Sequence, residues 1–340
     1  MTRGGSPPRR VDASPRRDES EIGEAIRARG LTKRYGTVEA VRDLNLSVRS
    51  GEIYGFLGPN GAGKTTTILM LLGIERPTAG RIELFGRPGP LDPFAVKPRL
   101  GVVSEQQYLY DDMSAWEYLM FFARLYRVEK AEARAQALLE RLSLWEFRRL
   151  RARDHSRGMQ QKLGLCRALL HDPELLVLDE PVSGLDPHGI RQIREILLEQ
   201  NARGATILIS SHILSEVERT ADRVGILYGG RLVAEDTVER IGARLRPGTV
   251  IELTVEQLTD GLVAALRRQP FVEEVEAAAG EGGRLRVRVA SGPDHRRALS
   301  AVVSEHGGLI TQMQEQRLSL EEAFVRLTGE NVQPLMRVDG

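Results

Sequence analysis

The chain has 340 residues, enough for two domains at the usual ~100–200 residues each. Its 41% hydrophobic and 28% charged residues are ordinary globular composition. The 48 basic and 47 acidic side chains leave a formal charge of +1, without the basic excess of a nucleic-acid binder. One cysteine, Cys166, excludes a disulfide scaffold and multi-cysteine metal sites, and no apolar run reaches the roughly 18 residues of a membrane span.

Residues 1–25 read as a disordered tail. Three prolines, mixed charge and almost no apolar residues cannot offset the entropy of ordering. A basic arm reaching anionic lipid is the alternative, blunted by the neighbouring acids. There is no apolar signal-peptide core, so a cytoplasmic protein is expected.

From 26 to 246 the pattern is α/β. Short apolar runs at 53–58 (IYGFLG), 100–105 (LGVVSE), 175–180 (LLVLDE) and 206–211 (TILISS) predict buried parallel strands. Ile190, Ile193, Ile196 and Leu197 line one face of a helix that Gly204 ends. A helical insert is expected over 111–170. It opens with the capping box Ser114-Ala115-Trp116-Glu117, flanked by Met113 and Tyr118 as a hydrophobic staple. Trp116, Tyr118, Phe121, Phe122 and Tyr126 crowd its first helix, serving the core, a partner surface, or both on opposite faces.

Beyond Pro247 the pattern changes. TVIELTV (249–255) alternates as a strand, and Leu258, Leu262, Val263 and Leu266 recur as a helix. FVEEVEA and RLRVRV follow as strands, then a helix carrying Leu299, Val302 and Val303, and a strand near 308–314. The order β-α-β-β-α-β predicts a small ferredoxin-like α+β domain over 247–330. Its closing helix begins at the capping box Ser319-Leu320-Glu321-Glu322, and 331–340 is a tail.

The chemistry is carried by two motifs. Gly58-Pro59-Asn60-Gly61-Ala62-Gly63-Lys64-Thr65 fits G-x4-G-K-[ST] directly after a predicted strand. Its glycines let backbone N–H groups cradle phosphate oxygens at a helix N-terminus. Lys64 then reaches the β- and γ-phosphates of ATP, and Thr65 offers a hydroxyl to Mg²⁺. The second motif is an apolar strand ending in Asp179-Glu180. Paired acids there need a compensating cation. Mg²⁺ supplies it, with Asp179 holding the metal's water shell and Glu180 handling the attacking water. None of the six histidines pairs at metal-ligand spacing, so no transition metal is expected.

His155-Ser156-Arg157-Gly158-Met159-Gln160-Gln161, whose serine stands 23 residues before Asp179, is a variant form of the LSGGQ signature. With it the chain resembles the ATP-binding subunits of ABC transporters. The likeness is strong over 26–240 and extends, less specifically, to the accessory domain of drug-efflux (daunorubicin-resistance-like) subunits. It implies a P-loop ABC-type nucleotide domain with a helical subdomain. Tyr35 takes the position that stacks on adenine, and Thr66 belongs to the phosphate loop. Gln106 takes the position that senses Mg²⁺ and the attacking water, with Gln107 the other register. Ser183–Asp186 resembles the loop that crosses the dimer interface, placing Asp186 near nucleotide, and His212 takes the position of the γ-phosphate histidine. Ser156 and Gly158 contact the ATP held by the opposite subunit, at the N-terminus of a helix that Ser156 caps. Arg157 and Met159 depart from the usual glycine and glutamine.

The resemblance also implies partners. One is a second copy or a paralogous ATP-binding subunit, head to tail around two ATP-Mg. Another is a separate membrane-spanning permease, on whose cytoplasmic side the chain sits as a peripheral subunit. Export of a drug-like or lipid-like compound is the expected direction. A translation-type ATPase would carry two nucleotide domains, a DNA-repair ATPase a long insert, and a non-catalytic regulator would lack Glu180 or His212.

Overall fold

The computed structural model describes residues 23–89, 93–212, 214–245, 249–277, 283–290 and 294–316. The expected closing helix from Ser319 lies outside them, as does the expected tail up to residue 22.

The chain opens with β1 (Glu24–Tyr35) and β2 (Val38–Arg49), paired antiparallel. The composition placed the tail through residue 25, but order begins earlier. Ala25 is buried, and the Glu24 carboxylate accepts from Ser47 Oγ at 2.7 Å. The fully buried β3 (Ile53–Leu57) leads into α1 (Lys64–Leu71). Next come β4 (Ala79–Leu84), β5 (Arg87–Pro88), α2 (Pro93–Val96) and β6 (Leu100–Val103). Strands β2-β1-β4-β5 form an antiparallel sheet beyond the expected buried parallel strands. Its signal is the period-two run Leu44, Leu46 and Val48, all buried against Tyr54, Phe56 and Met70.

The helical insert holds α3 (Ala115–Leu125), α4 (Ala131–Arg141) and α5 (Arg157–Leu169). The capping box at its start forms as expected. Ser114 Oγ accepts from Glu117 N–H at 3.2 Å, and the Glu117 carboxylate accepts from Ser114 N–H at 2.8 Å. Tyr118, Leu119 and Ala123 pack inward with Leu163 and Cys166 of α5, and burial pushes the Cys166 thiol up. Of the five clustered aromatics Tyr118 is buried, Trp116, Phe122 and Tyr126 are half-buried, and Phe121 is exposed, with Tyr108, Tyr110 and Leu125 also on the surface.

The remainder alternates: β7 (Leu175–Asp179), α6 (Pro187–Ala202), β8 (Thr206–Ser211), α7 (Leu214–Glu218), β9 (Arg223–Tyr228), β10 (Arg231–Thr237) and α8 (Val238–Leu245). Strands β10-β9-β3-β8-β7-β6 make a six-stranded sheet, parallel from β9 through β6, with every residue of β3, β7 and β8 buried. Burial on both faces is why these strands read as continuous apolar runs.

From residue 249 the chain builds β11 (Thr249–Glu256), α9 (Asp260–Arg267), β12 (Val272–Ala277), β13 (Arg284–Val289), α10 (Arg296–Glu305) and β14 (Leu309–Gln316). The antiparallel order β12-β13-β11-β14 is the ferredoxin-like arrangement. Ile251, Leu253, Val255, Leu285, Val287 and Val289 bury one face with Leu262, Leu266, Leu299 and Val303. The intervening arginines and glutamates take the other, as in Arg286–Glu252 at 2.9 Å.

Candidate nucleotide and catalytic site

In a parallel sheet the carboxyl ends of the strands are the place for a ligand. The loop after β3, the acids at the end of β7 and the histidine after β8 all lie there. The loop 58–63 needs its glycines for two reasons. Gly61 and Gly63 sit at φ +78° and +105°, where an L side chain is strained. A Cβ on Gly58 would lie 2.4 Å from the Leu227 carbonyl oxygen, and one on Gly63 2.5 Å from that of Ala40. Helix α1 starts at Lys64 with no side chain capping it, which leaves its first N–H groups for a ligand.

Lys64, Asp179 and Glu180 are all buried. Lys64 Nζ donates to the Gly58 carbonyl oxygen at 2.6 Å and stands 3.4 Å from Glu180 Oε1. His212 Nδ1 lies 2.8 Å from Glu180 Oε2, its ring half-exposed. Ser210 on β8 ties the two acids together: its Oγ donates to Asp179 Oδ1 and accepts from the Glu180 N–H. Glu180 takes φ +49°, a strained value for a residue with a side chain that costs about 1–3 kcal/mol. Its buried Oε1 has no hydrogen-bond partner among the described residues.

Two cavities meet at this point. One, of about 420 Å³, is lined by Tyr35, Asn60, Gly61, Lys64, Thr66 and Glu180 among others. The second, of about 860 Å³, brings Gln106, Asp179 and Arg157 together. Thr65 lines both. A hydroxyl, a carboxylate and an amide oxygen are hard donors of the kind Mg²⁺ selects, so Thr65, Asp179 and Gln106 fit that ion. Bound there, Mg²⁺ would neutralise phosphate charge.

The two glutamines after β6 both line the larger cavity, but Gln106 is exposed there, whereas Gln107 is half-buried against Gly164 of α5. Ser156 caps α5, accepting from Met159 N–H at 3.3 Å, and it is exposed outside the phosphate-loop cavity; Gly158, half-buried, lies outside that cavity too. Asp186 is likewise not brought to that cavity in its own chain. It caps α6, accepting from Gly189 N–H at 2.9 Å, and Pro187 follows at the first helical position. Sequence reasoning overlooked Glu105, which lines both cavities, and Ser210, whose only signal was a serine at a strand end opposite the acids.

A glycine loop opening a helix at the carboxyl end of a parallel sheet, with a lysine and an acid pair beside it, is the architecture of the phosphate-loop nucleotide hydrolases. Residues 41–183 match the ABC transporter family. Similar proteins include the bacitracin transport ATP-binding protein BcrA of Bacillus licheniformis, 38% identical over 89% of this chain and 97% of that one. The daunorubicin resistance ATP-binding protein DrrA3 of Streptomyces coeruleorubidus is 34% identical over 90% and 96%. A solved dimeric bacterial ABC transporter cassette is 25% identical with a TM-score of 0.59, over 63% of this chain and 98% of that one. The chain belongs to the ATP-binding subunits of ABC transporters, and it is an ATPase using ATP and Mg²⁺.

Proposed function

We propose that two such chains, copies or paralogues, close head to tail around two ATP-Mg and drive export of a drug-like or lipid-like compound through a separate permease. The observation that carries this reading is a division within the chain. The phosphate loop, Lys64, Thr65 and Glu180 converge on one cavity, whereas the exposed Ser156 and the half-buried Gly158 stay outside it. A helix end capped by a serine and aimed outward suits a phosphate held by another chain. Tyr35 gives the adenine a π face, Lys64 holds the β- and γ-phosphates, and Thr65, Gln106 and Asp179 serve the metal. Glu180 takes the proton of the attacking water, and His212 orients that carboxylate and meets the γ-phosphate. Asp186 reaches the interface only as the cap of α6.

The drug-like cargo follows from kinship with bacitracin- and daunorubicin-related proteins. No described helix is long and apolar enough to cross a membrane, which suits a peripheral subunit at the cytoplasmic face. We assign the exposed Tyr108, Tyr110, Phe121 and Leu125 to the permease contact. We divide the chain into an ATP-binding domain over 26–246 and an accessory domain over 247–330. The latter braces the nucleotide dimer, its rival role being a second docking site for the permease. Nucleic acid is not a partner.

Lys64→Ala removes the buried cation beside Glu180 and the loop. ATP affinity and turnover should both fall in the purified protein, and wild-type turnover there would overturn the site. Reconstitution with a candidate permease, assayed with candidate cargo, tests the transport reading.

A further inference from the structure

A line of side-chain amides, half-buried at Gln107 and buried at Gln161, runs behind Glu180. Gln107 Nε2 donates to the Ser104 carbonyl oxygen and, at 3.2 Å, to Gln161 Oε1. Gln161 Nε2 in turn donates to the Glu180 carbonyl oxygen at 3.3 Å. The carbonyls at the two ends can only accept, so the direction of both amides is fixed. Gln161 is 3% exposed. Gln107 reaches it through a gap in α5 at Gly164, where a Cβ would lie 2.1 Å from Gln107 Oε1. Glycine in the middle of a thirteen-residue helix is otherwise a poor choice.

The line joins three elements: the loop that carries Gln106, the helix that Ser156 caps, and the strand end that carries the acids. At Glu180 both flanking peptides are then held. Its N–H donates to Ser210 O at 3.2 Å and Ser210 Oγ at 3.1 Å, and its carbonyl accepts from Gln161. A residue at φ +49° keeps that conformation only where its surroundings over-determine it. Its two oxygens stand 3.4 Å from Lys64 and 2.8 Å from His212, so turning the peptide would carry the carboxylate off both.

We propose that Gln161, supported by Gln107, is a positioning residue that aims the Glu180 carboxylate and makes that aim depend on where α5 and the Gln106 loop stand. This rests on the reading of Glu180 as the group that handles water. Neither glutamine lines the cavity of the phosphate loop, Lys64 and Glu180, so the effect belongs in kcat and not in ATP binding.

The test is steady-state ATPase and equilibrium ATP binding on the full chain. Gln161→Met keeps bulk and removes the donor, and should lower kcat about tenfold with KM and Kd for ATP within about twofold. Gln161→Glu cannot donate to a carbonyl and should match it. Gln107→Met leaves the bond to Glu180 and should lower kcat about threefold. In a Glu180→Gln background, Gln161→Met should cost nothing further, because the aimed group is gone. Wild-type kcat in Gln161→Met, a parallel loss of ATP affinity, or the same cost in the Glu180→Gln background each overturns the proposal. Should Gln161→Met not fold, wild-type kcat in Gln107→Met does so instead. Full turnover in Glu180→Gln alone overturns the reading of Glu180, which separates the two failures.

Discussion

The six-stranded parallel sheet and the four-stranded sheet from residue 249 use polar groups in opposite ways. At the carboxyl ends of the first, Asp179, Glu180, Ser210 and Ser211 are buried with Lys64 and Gln161 close by. In the second, the described buried side chains are all aliphatic, and charges such as Arg286–Glu252 and Arg288–Glu274 lie on the open face. Burying a charge is costly unless it is paired, and such groups persist where chemistry needs them. Exposed ion pairs contribute about 0–1 kcal/mol and carry no such implication. The contrast supports the proposed reading, in which hydrolysis belongs to the first region and the second braces it as a packed unit.

The largest effect should come from Glu180→Gln. Loss of the water-handling carboxylate should lower turnover by about 10²–10⁴ while ATP binding is kept. ATP should then shift this variant towards dimer on size exclusion more than it shifts the wild type. Unchanged turnover would remove the chemistry from that strand end and break the contrast.

Next comes Leu253→Ala, in the middle of the aliphatic face. A cavity there should cost the second unit about 2–5 kcal/mol, read as faster hydrogen exchange confined to its strands and helices. ATPase of the isolated chain should stay within about twofold. Ending the chain after Arg246 should likewise keep ATP binding but alter dimerisation or coupled transport. Loss of ATP binding in a still-folded truncated protein would show that the regions are not separable.

The smallest effect concerns His155, which precedes the capping serine. It is buried, and neither ring nitrogen has a hydrogen-bond partner among the described residues. Burial pulls its imidazole below the ordinary value near 6.5, against the opposing pull of the Phe147 carbonyl and Asp154. The folded state therefore favours the neutral ring, and stability is lost as pH falls from about 6.5 through the folded value. His171 has the same sign, so acid sensitivity should survive in part without His155. His155→Leu should show a smaller fall in Tm between neutral and mildly acid buffer, and an unchanged fall would show that His155 does not set it.

Much of this was legible because local chemistry left little choice. Four apolar runs became β3, β6, β7 and β8 within two residues, since strands buried on both faces must be apolar throughout. The cap at Ser114 formed because a serine and a glutamate three apart satisfy each other within one turn. The β-α-β-β-α-β order beyond residue 249 followed from period alone. The first antiparallel sheet was overlooked because its strands pair across 12-residue segments broken by register shifts, which dilute the alternation.

By itself the sequence determined which loop opens the helix at Lys64 and which strand end holds the acids, because a glycine loop and an acid pair are contiguous and legible from spacing. It set Gln106 ahead of Gln107 only through the resemblance, since adjacent residues share every local property. The fold separates them: both line the larger cavity, but Gln106 is exposed there, and Gln107 enters a gap that Gly164, 57 positions on, leaves in α5. Nor could it foresee Ser210 beneath Asp179 or Gln161 behind Glu180, because hydrogen bonds between elements 31 and 19 positions apart exist only once the strands and helix have packed.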